Sequence, residues 1–298
     1  MTTMNRVSRW GGARLGAAWA LMVGLVLVGG GCSPEAGDDR GAGSLGEGVA
    51  AVTPGEGVRE AGATPPVRVL FVGNSYFYYN DSLHNHLRRM VEAADPLLAE
   101  ALEYKSATIG GSNLLHHNVD WLTRPGRIGV EDPFEVVVLQ DHSAAALSHA
   151  READFRTAVA AHDVTIRGRG GRTVLYMTHA YAPEHRLASP DDIRRIEALY
   201  TEVGAEIGAL VIPVGLAFEA ALGRDPTLRL HNDQDHSHPS LAGSYLAAAT
   251  VYATLYGRSP VGNSYDAWGG VDSAVARLLQ EVAHETVEEY LGVRLTAG

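Results

Sequence analysis

The sequence predicts an α/β protein, a three-layer α/β/α sandwich around a mostly parallel, five-stranded sheet. Two observations carry that expectation. Short apolar runs such as Val67–Gly73 and Phe134–Leu139 read as strands, and the Val-rich second run is continuous enough to lie between two covered faces. Stretches of helical periodicity alternate with these runs, the order of βαβ units and hence of parallel pairing.

The fold is expected to begin only at Val67. Residues 1–31 carry Arg6, Arg9 and Arg14, no acidic side chain, and an apolar run from Leu15 to Val28, the layout of a signal peptide rather than a membrane span. The run closes in Gly29, Gly30 and Gly31 before Cys32 and so resembles a bacterial lipoprotein signal, with Cys32 as the lipidated first residue of an exported, membrane-anchored protein. Cleavage by an ordinary signal peptidase would instead give a periplasmic or secreted protein. Cys32 is the chain's only cysteine, so no intramolecular disulfide can brace the fold. Residues 32–66 are rich in Gly, Ala, Glu and Pro and lack apolar periodicity, so they read as a flexible linker. Residues 67–298 remain, a length that suits one domain.

Within that domain the first strand stops at Gly73, where the backbone can turn sharply. Leu83, Leu87, Met90 and Val91 then recur at helical spacing, with Asp81 or Ser82 as the cap. Glu103–Ile109 reads as the second strand, Phe134–Leu139 as the third, Thr173–Met177 as the fourth and Leu210–Val214 as the fifth. Further helices are expected over Arg151–Arg167, Pro190–Gly208, Ser240–Tyr256 and Val271–Leu291. Ligands of open α/β sheets bind beyond the carboxyl ends of the strands. Three loops converge there: Gly73-Asn74-Ser75, Gly110-Gly111-Ser112-Asn113 and Gln140-Asp141-His142-Ser143. Ser75, presented at that edge, is placed for nucleophilic chemistry, although Gly-Asn-Ser equally suits a helix cap, and Asn74 reads as loop geometry.

A base must come from elsewhere in the chain. Leu230–Ser240 packs His231, His236 and His238 with Asp233 and Asp235 just before a helix. Asp235 and His238 are about one turn apart, a spacing that lets a carboxylate orient an imidazole, and Pro239 is expected to fix the backbone at the helix start. The same five side chains are also possible metal ligands, and a solvated loop without a role fits equally; the loop alone does not choose.

Phe71-Val-Gly-Asn-Ser75, Gly111, Leu139-Gln-Asp-His-Ser143 and Asp235-His-Ser-His-Pro-Ser-Leu-Ala-Gly-Ser-Tyr-Leu-Ala-Ala248 occur in an order that resembles the SGNH hydrolases, the GDSL-type esterase and lipase superfamily, over essentially Val67–Tyr256. The resemblance implies a flavodoxin-like sandwich and a serine esterase acting on short-chain or acetyl carboxylic esters, with no cofactor and no metal. It implies Ser75 as nucleophile, His238 as base and Asp235 as its orienting partner. The oxyanion hole would use the backbone N–H groups of Ser75 and Gly111 with a side-chain donor from the third loop. The superfamily has Asn at that last position; here direct alignment offers His142, and the carbohydrate-esterase branches suggest Gln140. Gly-x-Ser-x-Gly is absent around Ser75, which argues against the α/β-hydrolase elbow. An acetyltransferase using the same triad and a non-catalytic, glycan-binding surface lipoprotein are the alternatives. Tyr76, Phe77, Tyr78 and Tyr79 suit an aromatic wall beside the nucleophile or core packing, and His179, Tyr181 and His185 suit an acyl pocket or a surface loop.

Formal net charge is −11, and loss of the three signal arginines takes it to −14, which argues against a nucleic-acid partner. The expected partner is a small-molecule, lipid or polysaccharide ester, with membrane contact only through the lipid anchor. Metabolic labelling with a clickable fatty acid in a bacterial host should tag the protein, and Cys32→Ser should abolish the tag. A tag that survives, or a mature N-terminus mapped away from Cys32, removes the lipoprotein assignment.

Overall fold

The computed structural model describes residues 64–298. The expected signal peptide, Cys32 and nearly all of the linker lie outside the described residues. β1 (Arg68–Gly73) leads into one helical turn, α1 (Ser75–Tyr78), followed by α2 (Leu83–Ala94) and α3 (Pro96–Glu100). Next come β2 (Glu103–Thr108), α4 (Val119–Leu122), β3 (Val136–Leu139), α5 (His149–Gly168), β4 (Arg172–Tyr176), α6 (Asp192–Ile207) and β5 (Leu210–Ile212). Three helices close the chain: α7 (Val214–Arg224), α8 (Leu241–Tyr256) and α9 (Ser273–Leu291).

The strands lie in the order β2-β1-β3-β4-β5, and every neighbouring pair is parallel. This is the doubly wound arrangement, whose direction of winding reverses between β1 and β3 and opens a crevice at their carboxyl ends. Alternation along each strand feeds two cores. Val69, Phe71, Val136, Val138, Val174 and Tyr176 pack with α2, α7, α8 and α9, whereas Leu70, Val72, Val137, Leu139 and Leu175 pack with α5 and α6. Because both faces are covered, β1 and β3 carry apolar residues at nearly every position and read as continuous runs, whereas β2, at the edge of the sheet, has one buried residue, Tyr104.

The expected five-stranded sandwich is the one observed, but α3 and α4 lie outside the expected helices, β3 begins at Val136 rather than Phe134, and the surroundings of α2, β5 and α8 differ locally. Leu210–Val214 is not all strand: the ladder ends at Ile212, because Pro213 has no N–H to extend it, and α7 starts at once. Ser82 stands at the N-cap of α2 but at φ 70°, and its side chain makes no capping bond. Pro239 lies before the first turn of α8 rather than in it; it forms an antiparallel bridge with His231, and Ser240 caps the helix by accepting from the Gly243 amide. At Gly243 a Cβ would fall 2.2 Å from the Leu230 carbonyl oxygen, so glycine lets the loop leading to His238 lie directly on α8. Among the described residues no helix is long and apolar enough to cross a membrane.

Candidate active site

The turn after β1 is built by Asn74. Extended at φ −134°, it caps α1, and its side-chain oxygen accepts from the Tyr76 amide at 3.1 Å. Ser75 thereby becomes the first residue of a helical turn, where its own N–H has no intrahelical acceptor. The Asn74 side-chain amide donates to Ser112 O at 2.9 Å and to Asp141 O at 3.2 Å, in the loops after β2 and β3. Its backbone N–H donates to Gln140 Oε1 at 3.0 Å. The strand must end in glycine for that last contact: a Cβ on Gly73 would lie 2.5 Å from the same oxygen.

Opposite this turn, His238 Nε2 is 2.7 Å from Ser75 Oγ, and His238 Nδ1 is 2.9 Å from Asp235 Oδ2. The pair is brought together by a tight turn, not by helical spacing. Asp235 Oδ1 accepts the amides of Ser237 at 2.9 Å and His238 at 2.8 Å, and His236 adopts φ 57° to make this possible. Burial works against the Asp235 charge, but the amides of His238 and Ser237 and the imidazole outweigh it and hold the carboxyl below its ordinary range. The His238 carbonyl is pinned in turn by the Asn232 amide at 2.7 Å.

Aromatic rings enclose the imidazole. Tyr79 stacks on His238 at 4.0 Å between centroids, and Tyr76 meets it edge-on at 5.6 Å. Behind Tyr76 the stack continues through His179 at 4.4 Å to Phe218, a further 4.2 Å on. His179 donates through Nε2 to the Ser237 carbonyl at 2.9 Å, and burial pushes its pKa well down, so the ring is a neutral donor. The expected aromatic run thus divides. Phe77 belongs to the core with Phe71 and Tyr176, Tyr78 is 42% exposed, and Tyr76 and Tyr79 contact the base. His179 is neither a pocket wall nor a surface residue but a buried support. Tyr181 bonds to Ser143 at 2.8 Å and packs on His185. The sequence marks Tyr79 and His179 as candidates but not which residues they meet, because Tyr79 stacks on His238 and His179 bonds to Ser237, both distant in the chain.

In the third loop, Gln140 and His142 have different surroundings. Gln140 is 1% exposed; its oxygen is taken by Asn74 and its amide nitrogen donates to the Asp141 carbonyl. His142 Nδ1 faces two groups that can only donate, the Ala144 amide at 3.0 Å and the Arg151 guanidinium at 3.2 Å. That nitrogen must therefore carry the lone pair, which leaves the hydrogen on Nε2. Burial, then the Arg151 charge, hold His142 below its ordinary pKa, so the ring stays neutral. Gly111, at φ 68°, and His142 line one hollow of about 340 Å³ with Asn113, His116, Arg151 and Asp154. In the histidine-rich loop, His231 donates to the Ala180 carbonyl at 2.9 Å, and Asp233 pairs with Arg229. Among the described residues no cluster of three His, Cys, Asp or Glu side chains is arranged to hold a metal ion.

Asp141 also lines this hollow but is only 2% exposed, with Oδ1 accepting from the Leu114 amide at 2.7 Å. Burial lifts its pKa from 3.8 to about 6, against the pull of the Leu114 and His142 amides. A carboxyl whose pKa rises on folding favours the native state only while protonated, so stability falls as pH climbs from the unfolded to the folded pKa and the loss is complete above the latter. A shift of this size is worth about 3 kcal/mol. Asp141→Asn cannot ionise. In urea unfolding between pH 4 and 7, the variant-minus-wild-type stability should therefore rise by up to about 3 kcal/mol and level off above pH 6. A difference that stays flat with pH would show that Asp141 ionises without cost.

No protein-family model matches the sequence, and no curated protein does. Solved structures match it well. A DUF4886 family protein from Bacteroides uniformis superposes with a TM-score of 0.59 at 20% identity, over 77% of this chain and 97% of that one. A Slackia heliotrinireducens protein provisionally assigned as an SGNH hydrolase gives 0.51 at 24% identity, over 64% of this chain and 99% of that one. A catalytic mutant of an acetylxylan esterase from Geobacillus stearothermophilus gives 0.50 at 12% identity, over 64% and 95%. With its parallel β2-β1-β3-β4-β5 sheet covered on both faces, the chain has the SGNH hydrolase fold.

Proposed function

We propose that the protein is a serine esterase of the SGNH type that removes short acyl groups, foremost acetyl, from a polar alcohol such as a carbohydrate. The observation that carries this reading is the unbroken hydrogen-bonded series from Ser75 Oγ through His238 to Asp235. His238 Nε2 accepts the hydroxyl proton as Ser75 Oγ attacks the ester carbonyl, and Asp235 stabilises the imidazolium that results. Collapse of the tetrahedral intermediate breaks the bond to the alcohol, which leaves with the proton from Nε2. Water, deprotonated by the same nitrogen, then attacks the acyl-Ser75 ester, releasing the acid and restoring the serine.

The negative charge on the tetrahedral oxygen needs donors that are already in place. We assign these to the N–H groups of Ser75 and Gly111 and to His142 Nε2–H. His142 is preferred because its hydrogen is directed to Nε2 by Ala144 and Arg151, while the Gln140 amide is occupied in holding the loops. The hollow at Gly111 and His142 is lined by His116, Arg151 and Asp154, which suits a hydroxyl-rich leaving group better than a long alkyl chain. The acetylxylan esterase among the structural neighbours supports the same substrate class. We further place the enzyme outside the cytoplasm, tethered through Cys32.

Turnover of an aryl acetate and of acetylated xylo-oligosaccharides by the purified protein tests the proposal. Activity should survive EDTA and vanish in Ser75→Ala, and a fluorophosphonate should label the wild type at Ser75. His142→Ala should lower kcat by about 10²–10³ with little change in KM, because the charge it meets exists only in the transition state. Stoichiometric labelling at another serine, or activity lost to EDTA and restored by metal, would overturn the serine mechanism; full kcat in His142→Ala would remove His142 from the oxyanion hole.

A further inference from the structure

Tyr79 lies flat on the His238 ring, its plane 8° from parallel and its centroid 4.0 Å away. The residues that follow are unusual: Asn80, Asp81 and Ser82 have φ of 52°, 71° and 70°, three consecutive non-glycine residues in left-handed backbone. Such backbone is costly for any residue with a Cβ and persists only where the surroundings over-determine it. Here they do. The Asn80 side-chain amide donates to the Pro239 carbonyl and to Ser244 Oγ, both at 2.9 Å, tying the turn to the residue after the base and to α8. The Asn80 carbonyl accepts from His86 Nε2 at 2.5 Å, and His86 Nδ1 accepts from the Tyr265 hydroxyl at 2.7 Å. His86 is fully buried, and burial lowers its pKa, so this anchor is a neutral ring.

The strained turn thus holds the preceding residue against the base. Asp235 and Ser75 hold the two nitrogens of the imidazole and Tyr76 meets it edge-on, but bonds at the two nitrogens leave the ring able to tilt about the line that joins them. A second ring laid on its face blocks that tilt. The same face carries the negative side of the aromatic quadrupole, which attracts the ring once it is positively charged. We propose that Tyr79 is a positioning residue for His238, holding the imidazole in the plane that joins Ser75 to Asp235 and stabilising the imidazolium formed when the serine proton is taken. The inference rests on the serine-esterase reading and assigns no chemistry to the Tyr79 hydroxyl.

The test compares Tyr79→Phe, Tyr79→Ala and Tyr79→Leu with the wild type and with Ser75→Ala on a small aryl acetate. Tyr79→Phe keeps the π face and should retain kcat. Tyr79→Ala and Tyr79→Leu should each lose about 10-fold or more in kcat, with KM nearly unchanged and fluorophosphonate labelling slowed in step. The leucine variant fills much of the same space without a π face, so a fold that fails in Tyr79→Ala does not decide the matter. Wild-type kcat in either variant, a KM rise at constant kcat, or equal losses in Tyr79→Phe and Tyr79→Ala would overturn the proposal. Activity retained in Ser75→Ala would instead overturn the serine reading on which it stands.

Discussion

The carboxyl edge of the sheet depends on one buried amide, that of Asn74, which is 3% exposed. The strand order explains why it falls to this residue. With β1 between β2 and β3, only the loop after β1 can touch both of its neighbours, and Asn74 is the residue that does. Its side-chain nitrogen meets the Ser112 and Asp141 carbonyls, its oxygen meets the Tyr76 amide, and its backbone N–H meets Gln140. Removing that side chain would take the partner from the buried Ser112 carbonyl and Tyr76 amide, each a larger loss than a typical hydrogen bond contributes, while Gln140 would still serve the Asp141 carbonyl. The direction of Ser75, the placement of Gly111 and the path of the Gln140–Ser143 loop all follow from this one junction.

Most of the fold was legible because burial on both faces writes itself into composition. Val136–Leu139 is wholly apolar, Arg172–Tyr176 is buried at every position after Arg172, and the helix periodicity of Leu83, Leu87, Met90 and Val91 matches the face that α2 buries. α7 was not legible: Val214–Arg224 buries residues around much of its circumference and begins at the last residue of the expected strand Leu210–Val214. The pairing of Asp235 with His238 was visible as a spacing of three, yet the physical cause differs, since the turn is closed by amides on Asp235 Oδ1 rather than by a helix. Asn74 gave no sign of its reach, because the loops it joins are separated from it by 38 and 67 residues. Local pattern can announce a turn, but not which distant carbonyls the turn will meet.

The histidine content acquires a physical meaning only from burial. His86, His162, His179 and His231 all have pKa values lowered by desolvation, and each directs Nε2 at a backbone carbonyl: Asn80, Leu114, Ser237 and Ala180 respectively. A carbonyl can only accept, so each Nε2 carries the hydrogen and each ring serves as a neutral donor. These side chains brace loops, and a nitrogen that holds a hydrogen against a carbonyl has no lone pair to offer a substrate proton or a metal. His238 is placed differently. Its two nitrogens face a carboxylate and a hydroxyl, partners with which an imidazole can both take up a proton and give it back. What distinguishes it from the other rings is therefore not sequence spacing but the identity of its two neighbours, one of which lies 163 residues away.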